Sequence, residues 1–267
     1  MTAVLSPETP LLLFGCGNMG RAILNGWLRG GLDPACFVVV DPQVRDLPAG
    51  VLHVENGAKL KQRFSVAMLA IKPQLFQAAA CDIEHLLKPG ALVFSILAGT
   101  RLVNLDAALP GRNIVRLMPN LAAAIGKSPM CLFSSLSLDR AAIEQLVSPL
   151  GKPFWLASES QMDAVTALAG SGPAFVYRFI DALVQAGGAL GLDAETSLGL
   201  AKAMVEGAAL LAADPNNSPE ELARSVTSPG GTTAAGLSVL DDADALKNLV
   251  LATLTAARDR GAELAKG

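Results

Sequence analysis

The amino-acid sequence predicts an α/β fold: a doubly wound, mostly parallel sheet in the first half and an all-α second half. Three observations carry this. A short apolar run, residues 11–14, leads straight into Gly15-Cys16-Gly17-Asn18-Met19-Gly20, then a helical stretch, 21–28, and a second apolar run, 37–40. Further apolar runs at 66–71, 92–97 and 113–118 each stop in residues that break a strand: Lys72-Pro73-Gln74, Ala98-Gly99 and Pro119-Asn120. Past about residue 157 only helical periodicity remains, broken by Gly and Pro.

Strand, glycine turn, helix and strand in that order open a Rossmann-type dinucleotide-binding unit, and G-x-G-x-x-G is specific only in that context. Gly15 permits the turn, Gly17 lets a pyrophosphate approach, and Gly20 lets helix and strand pack. Cys16 is a small residue filling the turn. Asp41, twenty-one residues after Gly20, closes the second strand as Asp41-Pro42. It has two readings: a contact to the adenosine ribose, which favours NAD because a carboxylate repels a 2′-phosphate, or an Asp-Pro turn. Arg45 can pair with a phosphate or with Asp41, which leaves NADPH and NADH both open as the cofactor.

Residues 51–54 read as a strand and 58–63 as a short helix. The uninterrupted apolar run 66–71 suits a buried parallel strand, and 76–87 is helical. Strands follow at 92–97 and 113–118. The unusual residues gather at strand carboxyl ends, where an open parallel sheet binds its ligands. Lys72 is therefore read as facing that crevice, Pro73 ending the ladder beside it; the alternative is a surface lysine.

The texture changes near residues 157–161, which places a dinucleotide-binding domain at 1–158 and an all-helical substrate-binding and dimerisation domain at 159–267. After Asp163, the helical stretch 163–190 carries only Arg178 and Asp181 as charges. Such a helix must be covered on nearly all faces, and about a hundred residues cannot easily cover it alone. A second copy is the expected cover. Helices at 194–213, 219–227, 232–240 and 243–266 complete this half.

Composition excludes several classes. Apolar residues make up 51%, charged ones 17%, and the net charge is −3 with no basic run, so nucleic acid and anionic membranes are not expected partners. No uncharged run approaches the roughly 20 residues of a spanning helix, and no signal peptide is read, so a cytoplasmic protein is expected. Cys16, Cys36, Cys81 and Cys131 are scattered without C-x-x-C spacing and read as reduced thiols. His53 and His85 are too few for a histidine-rich metal site and lie away from strand ends; no metal is expected.

The most unusual stretch is Ser228-Pro229-Gly230-Gly231-Thr232-Thr233. Pro229 and the two glycines shape a turn, and the apolar pattern after it starts a helix. Unpaired N–H groups at that start make a pocket for a small anion, with two hydroxyls beside it. The plainer alternative is that Thr232 caps the helix.

The stretches GCGNMGRAI, LAIKPQ, RLMPN, DAVTALAGSGPAF and VTSPGGTTAAGLSVLD resemble, in order, the hallmark stretches of the pyrroline-5-carboxylate reductase family. The similarity runs from Leu11 to the C-terminus, and its last stretch is the specific one. The resemblance implies an NAD(P)H-binding domain and a helical domain that dimerises by interleaving. It further implies reduction of the cyclic imine 1-pyrroline-5-carboxylate to L-proline, the last step of proline synthesis. By position, Asn18, Met19, Asn56, Ala70, Lys72, Pro73 and Ala98 line the cofactor. Ser171, Ser228, Gly230, Gly231, Thr232 and Thr233 hold the substrate, and Glu159 matches an acidic residue near the substrate amine. Leu121 departs from the family's usual Thr, and Asp41 from a site built for a 2′-phosphate.

A cyclic imine carboxylate needs its carboxylate anchored, its carbon facing the nicotinamide, and its nitrogen protonated. The N–H groups of Gly230 to Thr233 serve the first need. Thr233, or a water it orients, serves the third without a catalytic histidine. One rival is a hydroxyacid dehydrogenase of the 3-hydroxyisobutyrate type, which needs a lysine one helical turn beyond Gly170-Ser171-Gly172. The sequence there, PAFVYRFIDAL, has none. The other rival, a non-catalytic nucleotide sensor, needs no Gly-Gly-Thr-Thr pocket. Assembly of dimers into a larger oligomer, and inhibition by proline, stay open.

Overall fold

The computed structural model describes residues 5–43 and 46–264. They form two compact units: the described residues through Gly170 together with those from Ala257 onward, and Ser171–Ala256.

The first unit is built on an eight-stranded sheet in the order β3-β2-β1-β4-β5-β6-β7-β8. Six strands run parallel: β1 (Leu11–Phe14), β2 (Phe37–Val40), β3 (Leu52–Val54), β4 (Phe64–Leu69), β5 (Leu87–Ser95) and β6 (Asn113–Met118). β7 (Ser128–Phe133) is antiparallel to β6, and β8 (Gly151–Trp155) is parallel to β7. β1 lies between β2 and β4, with Leu13 opposite Val39 on one side and Met68 on the other. The chain changes direction across the sheet here, which opens a crevice beyond the carboxyl end of β1.

Both faces are covered. Leu11, Leu13, Phe37 and Val39 pack with α1 (Asn18–Arg29) and α4 (Arg140–Val147). Leu12, Val38 and Ala67 pack with α2 (Pro73–Leu86) and α3 (Leu102–Ala108). Alternate strand residues thus enter opposite cores, which is why the strands read as unbroken apolar runs. Trp27 fixes α1: it stacks on Phe37 at 5.4 Å between centroids, and its indole N–H donates to the Leu146 carbonyl at 2.9 Å.

Several boundaries differ from the sequence reading. β4 starts at Phe64 and ends at Leu69, so Ala70 and Ile71 leave the ladder; β5 takes Leu87, expected to end a helix. The helix expected at 58–63 is a single tight turn, Gly57–Lys59, begun by the Asn56 side chain accepting the Ala58 N–H at 2.8 Å. Two helices, α3 and α4, and two strands, β7 and β8, are additional. Pro129 and Pro153 interrupt the apolar pattern of those strands; β8 is the edge strand, and β6 pairs with β7 only from Cys131 to Phe133, so Pro129 lies beyond that ladder.

The helix expected over 163–190 is interrupted. α5 (Met162–Val165) passes into a π turn, Thr166–Gly170, before α6 (Gly172–Ala189) begins. α7 (Ala194–Ala212), α8 (Pro219–Ser225), α9 (Thr232–Asp241) and α10 (Ala245–Leu264) follow. Asp193 caps α7 through the Thr196 N–H at 2.9 Å, and Ser218 caps α8. Within Ser171–Ala256 only Ser197 and Ala201 are buried, while Tyr177, Leu190, Leu211 and Val239 stand in solvent. Among the described residues, no helix is long and apolar enough to cross a membrane.

Candidate active site

The glycine turn follows β1 directly. Gly15 has φ of +94°, and a Cβ there would stand 2.6 Å from the Ala70 carbonyl oxygen. A Cβ on Gly20 would meet the Gly15 oxygen at 2.6 Å, so α1 packs on the turn only because that side chain is absent. Gly17 differs: a Cβ there would meet nothing within 4 Å. It precedes α1 in extended conformation without a side-chain cap, so among the described residues the first N–H groups of a 12-residue helix have no acceptor and face open space. Asn18 and Met19 open that helix, Met19 partly buried against the core. A pyrophosphate fits here, in the volume a side chain at Gly17 would fill.

Asp41 holds this turn. Its Oδ2 accepts the Cys16 N–H at 2.7 Å and its Oδ1 the Gln43 N–H at 2.8 Å. Its carbonyl oxygen is 2.8 Å from His53 Nε2, which makes that ring nitrogen the donor. The carboxylate therefore shapes its own Asp-Pro-Gln turn and ties it to the glycine turn, while still lining the cleft beyond β1. The bond to Cys16 was not legible in the sequence. Arg45 lies outside the described residues. Burial pushes the Cys16 thiol up to about 11, against the opposing pull of Arg21 and with the Asp41 charge adding a little, so Cys16 is a neutral filler.

Gly15, Gly17, Asp41, Asn56, Ala70 and Lys72 line one cleft of about 530 Å³. Ala70 reaches it because its N–H still bonds the Phe14 carbonyl, 2.8 Å, after the ladder has ended. Lys72 is exposed at the start of α2, with Pro73 as the helix's first residue. Pro73 and Ala98 line a separate groove of about 460 Å³, together with Gly99, Thr100 and Asn104. Pro73 and Ala98 thus line a different depression from Asn56, Ala70 and Lys72.

Glu159 is held from two sides. Its Oε1 accepts the Leu102 N–H at 2.7 Å and Arg116 Nη1 at 2.8 Å. Arg116 is 5% exposed. The carboxylate so joins the first turn of α3 to the middle of β6, and, after burial, its charge is the second cause raising the carboxyl of Asp106 on α3. Arg116 was missed by the sequence reading, although a single cation inside the apolar strand Asn113–Met118 signals a buried partner.

In the second unit, Gly230 takes φ of +71° and the Gly231 N–H bonds the Ser228 carbonyl at 3.0 Å. Gly231 is the residue preceding α9, and no side chain caps the helix there. Thr232 is already inside the helix, so it is not the cap. Thr232 and Thr233 are exposed, and among the described residues neither hydroxyl has a hydrogen-bond partner. The arrangement leaves N–H groups and two hydroxyls together at the positive end of a ten-residue helix. Ser171 precedes α6, half-buried, its carbonyl accepting the Ala174 N–H at 3.0 Å.

Residues 159–264 match the family model described as pyrroline-5-carboxylate reductase dimerisation. Pyrroline-5-carboxylate reductase of Pseudomonas aeruginosa is 37% identical over 269 residues, covering 97% of this chain and 98% of that protein. The chain belongs to the pyrroline-5-carboxylate reductase family. A solved pyrroline-5-carboxylate reductase from Coxiella burnetii is 30% identical with a TM-score of 0.88, over 96% of this chain and 98% of that one. The Plasmodium falciparum pyrroline carboxylate reductase, solved with NADP bound, shares the fold at 24% identity and a TM-score of 0.85, over 97% and 99% of the two chains.

Proposed function

We propose that this chain reduces 1-pyrroline-5-carboxylate to L-proline with NADPH or NADH. The observation that carries the reading is the uncapped start of α9, where a glycine turn leaves N–H donors and two exposed threonine hydroxyls side by side. Neither a hydroxyacid dehydrogenase of the type considered above nor a nucleotide sensor needs that feature. Bound at the glycine turn, the dinucleotide supplies the hydride for the imine carbon.

The chain's own residues bind and orient. The N–H groups that open α1 and the bare Gly17 hold the pyrophosphate; Asn18, Met19, Asn56, Ala70, Lys72, Pro73 and Ala98 line the remainder of the dinucleotide. Gly230, Gly231 and Thr232, with Ser228 and Ser171, anchor the carboxylate. Thr233, or a water it orients, keeps the proton on the ring nitrogen, and Glu159 faces the amine. One hydride at carbon and one proton at nitrogen complete the addition across the C=N bond. Asp41 disfavours a 2′-phosphate by charge, so NADH serves at least comparably with NADPH; kcat/KM measured with each dinucleotide tests this.

The functional halves meet at residues 158 and 159, and two copies pair through the helical half as a cytoplasmic homodimer. Purified protein should oxidise NADH or NADPH, followed spectrophotometrically, only when the cyclic imine is present. Background rates with both dinucleotides would defeat the reading.

A further inference from the structure

Asn120 ends the Arg116-Leu117-Met118-Pro119-Asn120 stretch, is 7% exposed and lines neither groove at the sheet's carboxyl end. All its polar groups are engaged. Its N–H donates to Ser128 Oγ at 2.9 Å, and its Oδ1 accepts the Ala122 N–H at 2.9 Å, starting the turn Leu121–Ile125. Its Nδ2 donates to the Ala169 carbonyl at 2.9 Å, across 49 residues of sequence.

That third bond answers a vacancy written into the sequence. In an α-helix the Ala169 carbonyl would accept the N–H of residue 173, and Pro173 has none. The next N–H, of Ala174, bonds the Ser171 carbonyl instead, at 3.0 Å. The carbonyl belongs to the π turn Thr166–Gly170, a form that is rare and concentrated at functional sites. The end of β6 also moulds the turn sterically. Met118 packs with Met162 and Cys131, and its Sδ would lie 3.4 Å from a Cβ on Gly170. The residue immediately after the turn is Ser171.

We propose that Asn120 is a positioning residue for the imine substrate. Through the Ala169 carbonyl it fixes the π turn, and with it the backbone that leads directly into Ser171. The inference rests on the reading of Ser171 as a substrate contact. Asn120 itself touches no substrate.

Asn120→Asp keeps the size and the acceptor for Ala122 but sets an oxygen against the Ala169 carbonyl. The KM for the imine should rise about tenfold or more, while dinucleotide affinity, read by fluorescence titration, stays within about twofold. Hydrogen exchange over residues 166–175 should speed up, a readout that needs no substrate. A second variant separates positioning from stability. In Asn120→Ala combined with Pro173→Ala, the new N–H at 173 satisfies Ala169 and lets an α-helix run through. The melting temperature should recover toward wild type while the imine KM stays high. Recovery of both together, or an unchanged KM and unchanged exchange in Asn120→Asp, would overturn the proposal. A wild-type protein that fails to reduce the imine would defeat the functional reading alone, since exchange in Asn120→Asp still tests the bond to Ala169.

Discussion

Thr233 sits two residues past Gly231, in the first turn of α9, where no side chain caps the helix. Its exposed hydroxyl therefore does little for the fold and is available for the substrate contact proposed for it. Thr233→Val keeps the shape and removes one hydrogen bond to a charged partner, worth about 1.5–3 kcal/mol. Steady-state kinetics should show kcat/KM for the imine down roughly ten- to a hundredfold. Stability should change by under about 0.5 kcal/mol, because the residue is exposed and is not the cap. A fall in melting temperature with kcat/KM intact would take Thr233 out of the reaction. Cys16 behaves oppositely, as a residue of the fold. Burial raises its thiol from an ordinary 9.0 to about 11, so the folded state holds the proton where the unfolded chain releases it. Its contribution to stability is full below pH 9, is lost as the pH climbs toward 11, and is level above. Urea titrations between pH 8 and 11 should show that fall, and Cys16→Ser should make it shallower, since burial raises the thiols of Cys36 and Cys131 as well. Native protein at pH 8 should react with a thiol reagent at the exposed Cys81 before the buried Cys16, Cys36 and Cys131.

At the scale of elements, the glycine turn separates packing from binding. A methyl on Gly20 meets backbone oxygen at 2.6 Å, so Gly20→Ala must displace α1 from β1. It should cost about 1–3 kcal/mol of stability. A methyl on Gly17 meets no protein atom within 4 Å, so Gly17→Ala should melt like wild type yet bind either dinucleotide at least about tenfold more weakly. Calorimetry on both variants decides; equal melting losses would mean Gly17 is only a packing residue. This element was fully legible in the sequence, because strand, turn and helix each carry their own local signal and all three agree. β7 and β8 were not, since Pro129 and Pro153 imitate loop punctuation, the first beyond the reach of the β6 ladder and the second on the edge strand. The π turn was not legible either. Its cause is divided between Pro173, which removes a donor, and Asn120, which supplies one from 49 residues away. Glu159 was placed near the substrate by resemblance, yet the bonds that orient it come from Arg116 and Leu102, which no local pattern connects.

For the whole molecule, the decisive fact is that Ser171–Ala256 has almost no interior of its own. Only Ser197 and Ala201 are buried there, against five helices rich in Leu, Val and Ala. Tyr177 is 64% exposed, Leu211 60% and Val239 72%. Each large apolar side chain left in water forgoes about 1.5–3 kcal/mol of burial, and a domain with a net stability of only about 5–15 kcal/mol cannot forgo many. The surface therefore requires a cover of equal chemistry, and a second copy of the same helices offers one, in agreement with the match of residues 159–264 to a dimerisation model. Sedimentation velocity should give twice the 27.5 kDa chain mass down to low concentration. The melting temperature should rise with protein concentration, because unfolding then releases two chains. Leu211→Asp, which sets a charge on that surface, should give aggregated or unfolded protein rather than a folded single chain. A stable, cooperatively melting species of 27.5 kDa at micromolar concentration would show that the helical half stands alone.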